Sequence, residues 1–98
     1  MGIFSLFKKK NVRDPEQERR EFLLTHGRIT DGRIIDSEIT PAGKEIVFYM
    51  YTLGGVDFES SEILTEEQQR DPLKYAPGAK IGVRYDSKNH GNSMLSEQ

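Results

Sequence analysis

Two histidines and two aspartates are the side chains of this sequence best suited to catalysis or metal binding. His26 and His90 lie far apart, outside the spacing of two histidines four residues apart on a helix that is typical of zinc sites. The pattern favours a helix C-terminal cation for His26 and a loop residue for His90. Asp86 is expected to be a solvated turn carboxylate, since nothing marks it, alone or paired with Asp36, as a general base.

Other common reactive groups are missing from the sequence. It contains no cysteine, which excludes thiolate catalysis and Cys-ligated metals. Its nine glycines lie singly or in turns, without the spacing of a phosphate-binding loop. We therefore expect a protein that is not an enzyme, with no catalytic residue, no metal and no cofactor.

Aromatic side chains suggest a different chemistry, the stacking of nucleic-acid bases. The aromatic residues that could form a base-stacking platform are Tyr49, Tyr51, Phe58 and Tyr85. Their hairpin spacing and apolar neighbours favour packing in a core. Residues 1–28 carry seven basic and four acidic residues, whereas the remainder carries seven basic and twelve acidic ones, which suits a phosphate backbone poorly. Exposure of Tyr49 and Tyr51 beside basic side chains would favour the alternative of single-stranded nucleic-acid binding, and their burial would argue against it.

Residues 1–13 combine large apolar side chains with positive charge, and we expect this segment to be flexible. Four apolar residues and three lysines form the cluster: Ile3, Phe4, Leu6, Phe7, Lys8, Lys9 and Lys10. Such a cluster resembles an interfacial anchor at an anionic membrane, although a frayed or core-docked N-terminal turn is the favoured alternative. The apolar run is too short to span a bilayer or to form the core of a signal peptide. We therefore expect a cytoplasmic protein, with peripheral contact at the inner membrane as the candidate role of these residues.

A helix is expected over residues 14–27. Asp14 can cap its first turn, Pro15 suits the first helical position, and Gly27 can end it in the left-handed conformation. Its large apolar side chains are Phe22, Leu23 and Leu24. Such a short helix is marginal alone in water, so we expect its last turn to cover one opening or face of a neighbouring domain.

A β-hairpin is the strongest structural signal in the sequence. Residues Val47, Tyr49, Tyr51 and Leu53 alternate with other residues up to Gly54-Gly55, after which Val56 and Phe58 resume. Two glycines supply the positive φ values that a two-residue hairpin turn requires. This turn predicts that Leu53 faces Val56 and that Tyr51 faces Phe58.

The remaining strand signals complete a small β domain over residues 28–95. Strands are expected within 29–39 and at 80–85, followed by a polar turn over 86–91 and an edge at 93–95, with a short helix after Thr65. The sequence thus predicts a mainly β fold, a single antiparallel five-stranded barrel of the OB or SH3-like type with one N-terminal α-helix, and a tail at 96–98. Its expected core residues are Ile34, Val47, Tyr49, Tyr51, Leu53, Phe58, Ile81 and Val83.

The central strand is apolar on its second face as well. Ile46, Phe48 and Met50 alternate with the core residues of the hairpin, so this strand needs cover on both sides. The N-terminal helix or a second subunit are the candidates for that cover. We take these three residues as the candidate interaction site.

Motifs over about two-thirds of the chain resemble a known family. They are Gly32-x-Ile34-Ile35-Asp36, Val47-x-Tyr49-x-Tyr51-x-Leu53-x-Gly55-x-x-Phe58, Tyr75-x-x-Gly78-x-x-Ile81-x-Val83-x-Tyr85-Asp86, then Asn89 and Ser93-x-Leu95. This succession is similar to the bacterial family named domain of unknown function 3592. The resemblance implies a small antiparallel β-barrel, often beside transmembrane helices in envelope proteins, with no established activity. The chain departs from the family in having no transmembrane helix and in having Ser87 and His90 where proline is common.

A non-catalytic interaction module is the function these observations favour. We expect it to bind a protein partner or a second copy of itself through an exposed strand edge or through the face of Phe48 and Met50. Nucleic-acid binding by an OB-like domain is the alternative.

Overall fold

A computed structural model describes residues 14–96 and shows an N-terminal helix, a five-stranded sheet and a short helix between two of its strands. Its elements are α1 (Pro15–His26), β1 (Arg28–Ile39), β2 (Glu45–Leu53), β3 (Val56–Ile63), α2 (Glu66–Gln69), β4 (Lys80–Asp86) and β5 (Asn89–Leu95). The strands lie in the order β3-β2-β1-β4-β5, and each neighbouring pair is antiparallel. The sheet curls into a nearly closed barrel. This confirms the predicted fold class.

The β2–β3 hairpin has the predicted turn and register. Gly54 and Gly55 have φ values of 58° and 82°, which residues other than glycine rarely adopt. Leu53 pairs with Val56 and Tyr51 with Phe58, as the alternation required. The turn therefore fixes which face of β2 enters the barrel.

The barrel interior contains the predicted core and three further residues. All eight expected residues belong to the core or pack against it, with Leu53 and Phe58 partly buried. Leu64, Tyr75 and Leu95 are buried there as well. Leu64 and Tyr75 lie in the connection from β3 to β4, where Gly78 N–H donates to Ile34 C=O and Ile34 N–H donates to Ala79 C=O. This connection closes one end of the core.

Helix α1 packs against β4 and β5. Of its three large apolar residues, Leu23 is fully buried, but Phe22 and Leu24 are 42% and 55% exposed. Successive residues of a helix point about 100° apart, so three consecutive residues cannot share one contact face. Of the three apolar side chains in this turn, Leu23 is therefore the one that is buried.

Gly27 follows the helix for a reason other than the one predicted. Its φ is −71°, in the extended region, and not in the left-handed one. A Cβ at this position would lie 2.4 Å from the carbonyl oxygen of Leu23. Glycine is needed here because the chain passes close to the last turn of the helix.

Side chains, and not a ladder of backbone bonds, join the two edges of the sheet. Strands β3 and β5 end the strand order, yet Leu95 N–H donates to Glu62 Oε1 at 3.0 Å across the gap between them. Arg20 of α1 lies 3.5 Å from the same Glu62 oxygen. We call this gap, with the side chains that bridge it, the seam. The last strand is also longer than predicted, because it begins at Asn89.

Candidate interaction surface

The second face of β2 forms an apolar stripe on the outside of the barrel. Ile46, Phe48 and Met50 are half-buried there, while the residues between them fill the core. Ile63 of β3 lies opposite Ile46 on the same face and is 53% exposed. We call Ile46, Phe48, Met50 and Ile63 the outer stripe. The structure thus brings together the three residues predicted as an interaction site and adds a fourth.

Helix α1 does not lie along the outer stripe. It packs against β4 and β5, and its first two turns border the stripe at one end, where Glu16 and Arg20 line a shallow groove with Ile46 and Ile63. Farther along β2, Phe48 lies between Ser61 of β3 and Asp36 of β1. The helix, one of two covers expected from the sequence, therefore borders the stripe without lying over it.

Carboxylates surround the outer stripe. Exposed acidic residues on the flanking strands include Asp57 and Glu59 of β3, and Asp36 and Glu38 of β1. Glu59 and Arg33 flank Met50, and Glu38 flanks Ile46. Within residues 14–96, Asp36, Glu38 and Glu59 form no ion pair. The stripe is therefore an apolar centre with an acidic rim.

A buried polar cluster lies at the seam, on the inner side of the same strand. The Tyr49 hydroxyl shares a 2.8 Å hydrogen bond with the Ser93 hydroxyl of β5. Burial raises the pKa of Tyr49, although hydrogen bonds with Ser93 and Ser60 act in the opposite direction. The cluster therefore holds Tyr49 as a neutral phenol linking β2 to β5.

Arg19 connects the helix to this cluster. Its Nη1 donates to the Ser93 carbonyl oxygen at 2.5 Å and to Asn92 Oδ1 at 3.1 Å. The hydrogen bond between Arg19 and Glu16 raises the pKa of Arg19 and lowers the pKa of Glu16. Sequence reasoning missed Arg19, Arg20 and Glu62. The available signal was that Glu62 occupies an inward position of β3, where an unpaired charge would be costly.

The residues considered for catalysis are not brought together. His90 packs edge-on against the rings of Phe58 and Tyr85, at centroid distances of 5.9 and 5.6 Å. Asp36 accepts from the backbone N–H of Ser37, and Asp86 accepts from that of Lys88. His26 stacks on Phe22 in the last turn of α1. In the described part of the chain, no three His, Asp or Glu side chains are grouped to hold a metal ion.

Two of the three tyrosines considered for base stacking are inside the barrel. Tyr49 is fully buried, and Tyr51 is 2% exposed with its hydroxyl donating to the His90 carbonyl oxygen. Their rings stack on each other, and the Tyr51 ring also stacks on Phe58. Tyr49 and Tyr51 are therefore not available to stack on nucleic-acid bases.

The predicted membrane-contact residues lie outside the described residues. They are Ile3, Phe4, Leu6, Phe7, Lys8, Lys9 and Lys10. Between residues 14 and 96, no helix has the length and apolar character needed to cross a membrane.

A comparison with known protein families shows the family to which the barrel belongs. The family described as Domain of unknown function (DUF3592) matches residues 25–98, well over half of the chain. The chain belongs to this family. The DUF3592 match includes all five strands of the barrel and leaves most of α1 outside it. No curated protein and no solved structure matches the chain.

Proposed function

We propose that this DUF3592 barrel is a non-catalytic module that binds a protein partner through the outer stripe. The observation that carries the proposal is the outward face of β2, where Ile46, Phe48 and Met50 line the middle of a paired sheet and α1 packs elsewhere. A central strand is held on both sides by backbone pairing, so its outer side chains are presented on a rigid surface. Phe48, at the centre, is the expected anchor.

The acidic rim indicates the chemistry of the partner. Exposed carboxylates around an apolar centre favour a segment that presents apolar side chains with lysine or arginine beside them. A second copy of the stripe is less suitable, because a symmetric pair would bring two acidic rims together. We therefore favour a basic partner over self-association, while a homodimer remains the outcome that the experiment below can reveal.

Two observations weigh against the alternative of single-stranded nucleic-acid binding. Tyr49 and Tyr51, whose exposure would favour base stacking, are buried in the core, and the outward face of β2 is bordered by carboxylates that would repel phosphates. We keep the protein module as the proposed function.

Site-specific photo-crosslinking in cells that express the chain tests the proposal. A photoreactive amino acid at Ser61, which is exposed opposite Phe48, should give a discrete cross-linked product. Phe48→Lys should abolish that product, because a lysine at the centre of the contact would lose its hydration without gaining a counter-ion. The matched control is Leu73→Lys, at a loop position 84% exposed and away from the sheet, which should leave the product unchanged.

Each result of this experiment has a clear meaning. A product of twice the chain mass would identify a second copy as the partner. Absence of any product, or a product that survives Phe48→Lys, would overturn the proposal. Circular dichroism of both purified variants shows whether the barrel remains folded.

A further inference from the structure

We propose that the outer stripe is also the docking site of the chain's own N-terminal segment, residues 3–10, which occupies it until a partner displaces it. This inference rests on the proposed function, because it assigns a regulatory occupant to the same surface. Charge, apolar pattern and tether length support it.

Charge is divided unequally between the segment and the rest of the chain. Residues 1–13 contain four basic residues and no acidic residue, whereas residues 14–98 contain ten basic and sixteen acidic ones. The rim residues Asp36, Glu38 and Glu59 are exposed and, among the described residues, form no ion pair. The two regions therefore attract each other at low salt.

The apolar pattern of the segment matches the layout of the surface. Four large apolar side chains of the segment directly precede three lysines: Ile3, Phe4, Leu6 and Phe7, then Lys8, Lys9 and Lys10. The surface has four apolar side chains in the outer stripe, with carboxylates on both flanking strands. Docking would remove both apolar clusters from water while the lysines meet the rim.

The chain enters the described structure beside the stripe. Glu16, in the first turn of α1, lines the groove that contains Ile46 and Ile63. Asp14 is seven positions after Phe7 in the sequence, a reach of up to roughly 23 Å at about 3.3 Å per residue. The stripe from Ile46 to Met50 is only about 13 Å long by the same measure. The tether is therefore long enough to place the apolar cluster anywhere on the stripe.

Tethering makes weak docking sufficient. A tether of this length gives a local concentration on the order of 1 mM, so the segment occupies the stripe about half of the time if its Kd as a free peptide is about 1 mM, and most of the time if that Kd is lower. A partner must then compete with it, and only partners that bind the stripe more strongly gain access. The segment would thus set a threshold for binding.

Paramagnetic relaxation in the full-length chain tests this inference. Because the chain has no cysteine, Ser5→Cys gives a single attachment point for a nitroxide spin label. The amide signals of Phe48 and Ser61 should lose most of their intensity in the oxidised label and recover on reduction. The signal of Lys88, in the turn between β4 and β5, should be unaffected.

Second substitutions identify the surface and the charges involved. Phe48→Lys in the labelled chain should restore the Ser61 signal, and Leu73→Lys should not. Replacing Lys8, Lys9 and Lys10 by glutamine should also restore it in large part. If the amide spectrum shows that Phe48→Lys disturbs the fold, the double charge reversal Glu38→Lys with Glu59→Lys, at exposed rim positions, is the second variant.

Mixing labelled and unlabelled chains separates docking within one molecule from docking between two. Equal signal loss in a mixture of spin-labelled chain with isotope-enriched, unlabelled chain would assign the stripe to a second copy and overturn the inference. Absence of signal loss at Phe48 and Ser61 in the single chain would also overturn it. In that case the cross-linking result at Ser61 would still stand, so the two proposals fail separately.

Discussion

Tyr49 shows how one side chain serves both the core and the closure of the barrel. Its ring packs among the core residues, and its hydroxyl crosses to Ser93 on the last strand. Burial raises its pKa, so folding favours the neutral phenol over the phenolate. A residue that looks like ordinary apolar packing in the alternating pattern is therefore also a polar link between two strands.

Tyr49→Phe should lower the free energy of unfolding by about 1 to 3 kcal/mol at neutral pH, because the Ser93 hydroxyl loses a buried partner. The difference between wild type and variant should depend on pH. Because the pKa of Tyr49 is raised in the folded state, the contribution of its hydroxyl to the free energy of unfolding is complete below about pH 10, the ordinary pKa of tyrosine. This contribution is lost as the pH rises through the folded-state pKa. Urea unfolding of both proteins at pH 7 and at alkaline pH measures the difference. A difference in unfolding free energy between the two proteins that stays constant with pH would contradict this account.

At the scale of elements, side chains at the seam connect β3 to β5, which are not joined by a ladder of backbone hydrogen bonds. Glu62 of β3 accepts from Leu95 N–H of β5 and faces Arg20 of α1, so one carboxylate connects its own strand to two other elements. Its side chain is only 7% exposed, and an unpaired charge in such a place would be costly. Arg19 adds a second link from the helix to β5. The helix is thus held to the barrel by polar contacts as well as by Leu23.

Glu62→Ala should reduce the free energy of unfolding by about 1 to 3 kcal/mol, because Leu95 N–H loses its acceptor. Glu62→Gln keeps an acceptor and should cost less, and Glu66→Ala, at an exposed position of α2, is the matched control. Hydrogen exchange at the Leu95 amide should accelerate in Glu62→Ala more than in Glu62→Gln. Equal exchange in the three variants would show that the seam is closed by other means.

The sequence predicted those parts of the fold in which apolar side chains alternate regularly or in which a turn has a characteristic pair of residues. Alternation in β2 and the Gly54-Gly55 turn identified the core, the hairpin register and the outward face of Ile46, Phe48 and Met50. It could not predict that Leu64 and Tyr75 enter the core, because they lie in an irregular connection without a period. The polar contacts between α1 and the barrel were missed because they use Arg19 and Arg20, whose partners depend on the tertiary arrangement.

At the scale of the whole molecule, charge is arranged in two opposed regions. The first 13 residues are basic, and the described barrel has acidic residues around its outer stripe. The same lysines that suit an anionic membrane also suit this rim, so the two surfaces would compete for one segment. Membrane contact by residues 3–10 stays a prediction. If the segment docks on the outer stripe, it can contact a membrane only after it has left the stripe.

Binding to vesicles should therefore be weak for the intact chain and stronger for Phe48→Lys, which releases the segment. Both proteins should prefer anionic over neutral vesicles, and the preference should fade as salt rises, because exposed charges are screened. Replacing Lys8, Lys9 and Lys10 by glutamine should abolish binding in either background. Co-sedimentation at low salt provides the measurement. Equal absence of the intact chain and of Phe48→Lys from anionic pellets would show that the segment does not contact membranes.

The seam also constrains when the molecule can fold during its own synthesis. Arg19 finds its partners Asn92 and Ser93 more than 70 residues later in the chain, on the last of the five strands of the barrel to be synthesised. The helix must therefore wait, with Leu23 unburied, while β1 to β4 emerge and assemble. Contacts of such long sequence separation form slowly, since the intervening chain must first be ordered. We expect the nascent barrel to remain open at this gap, and to be most vulnerable there, until the final strand leaves the exit tunnel.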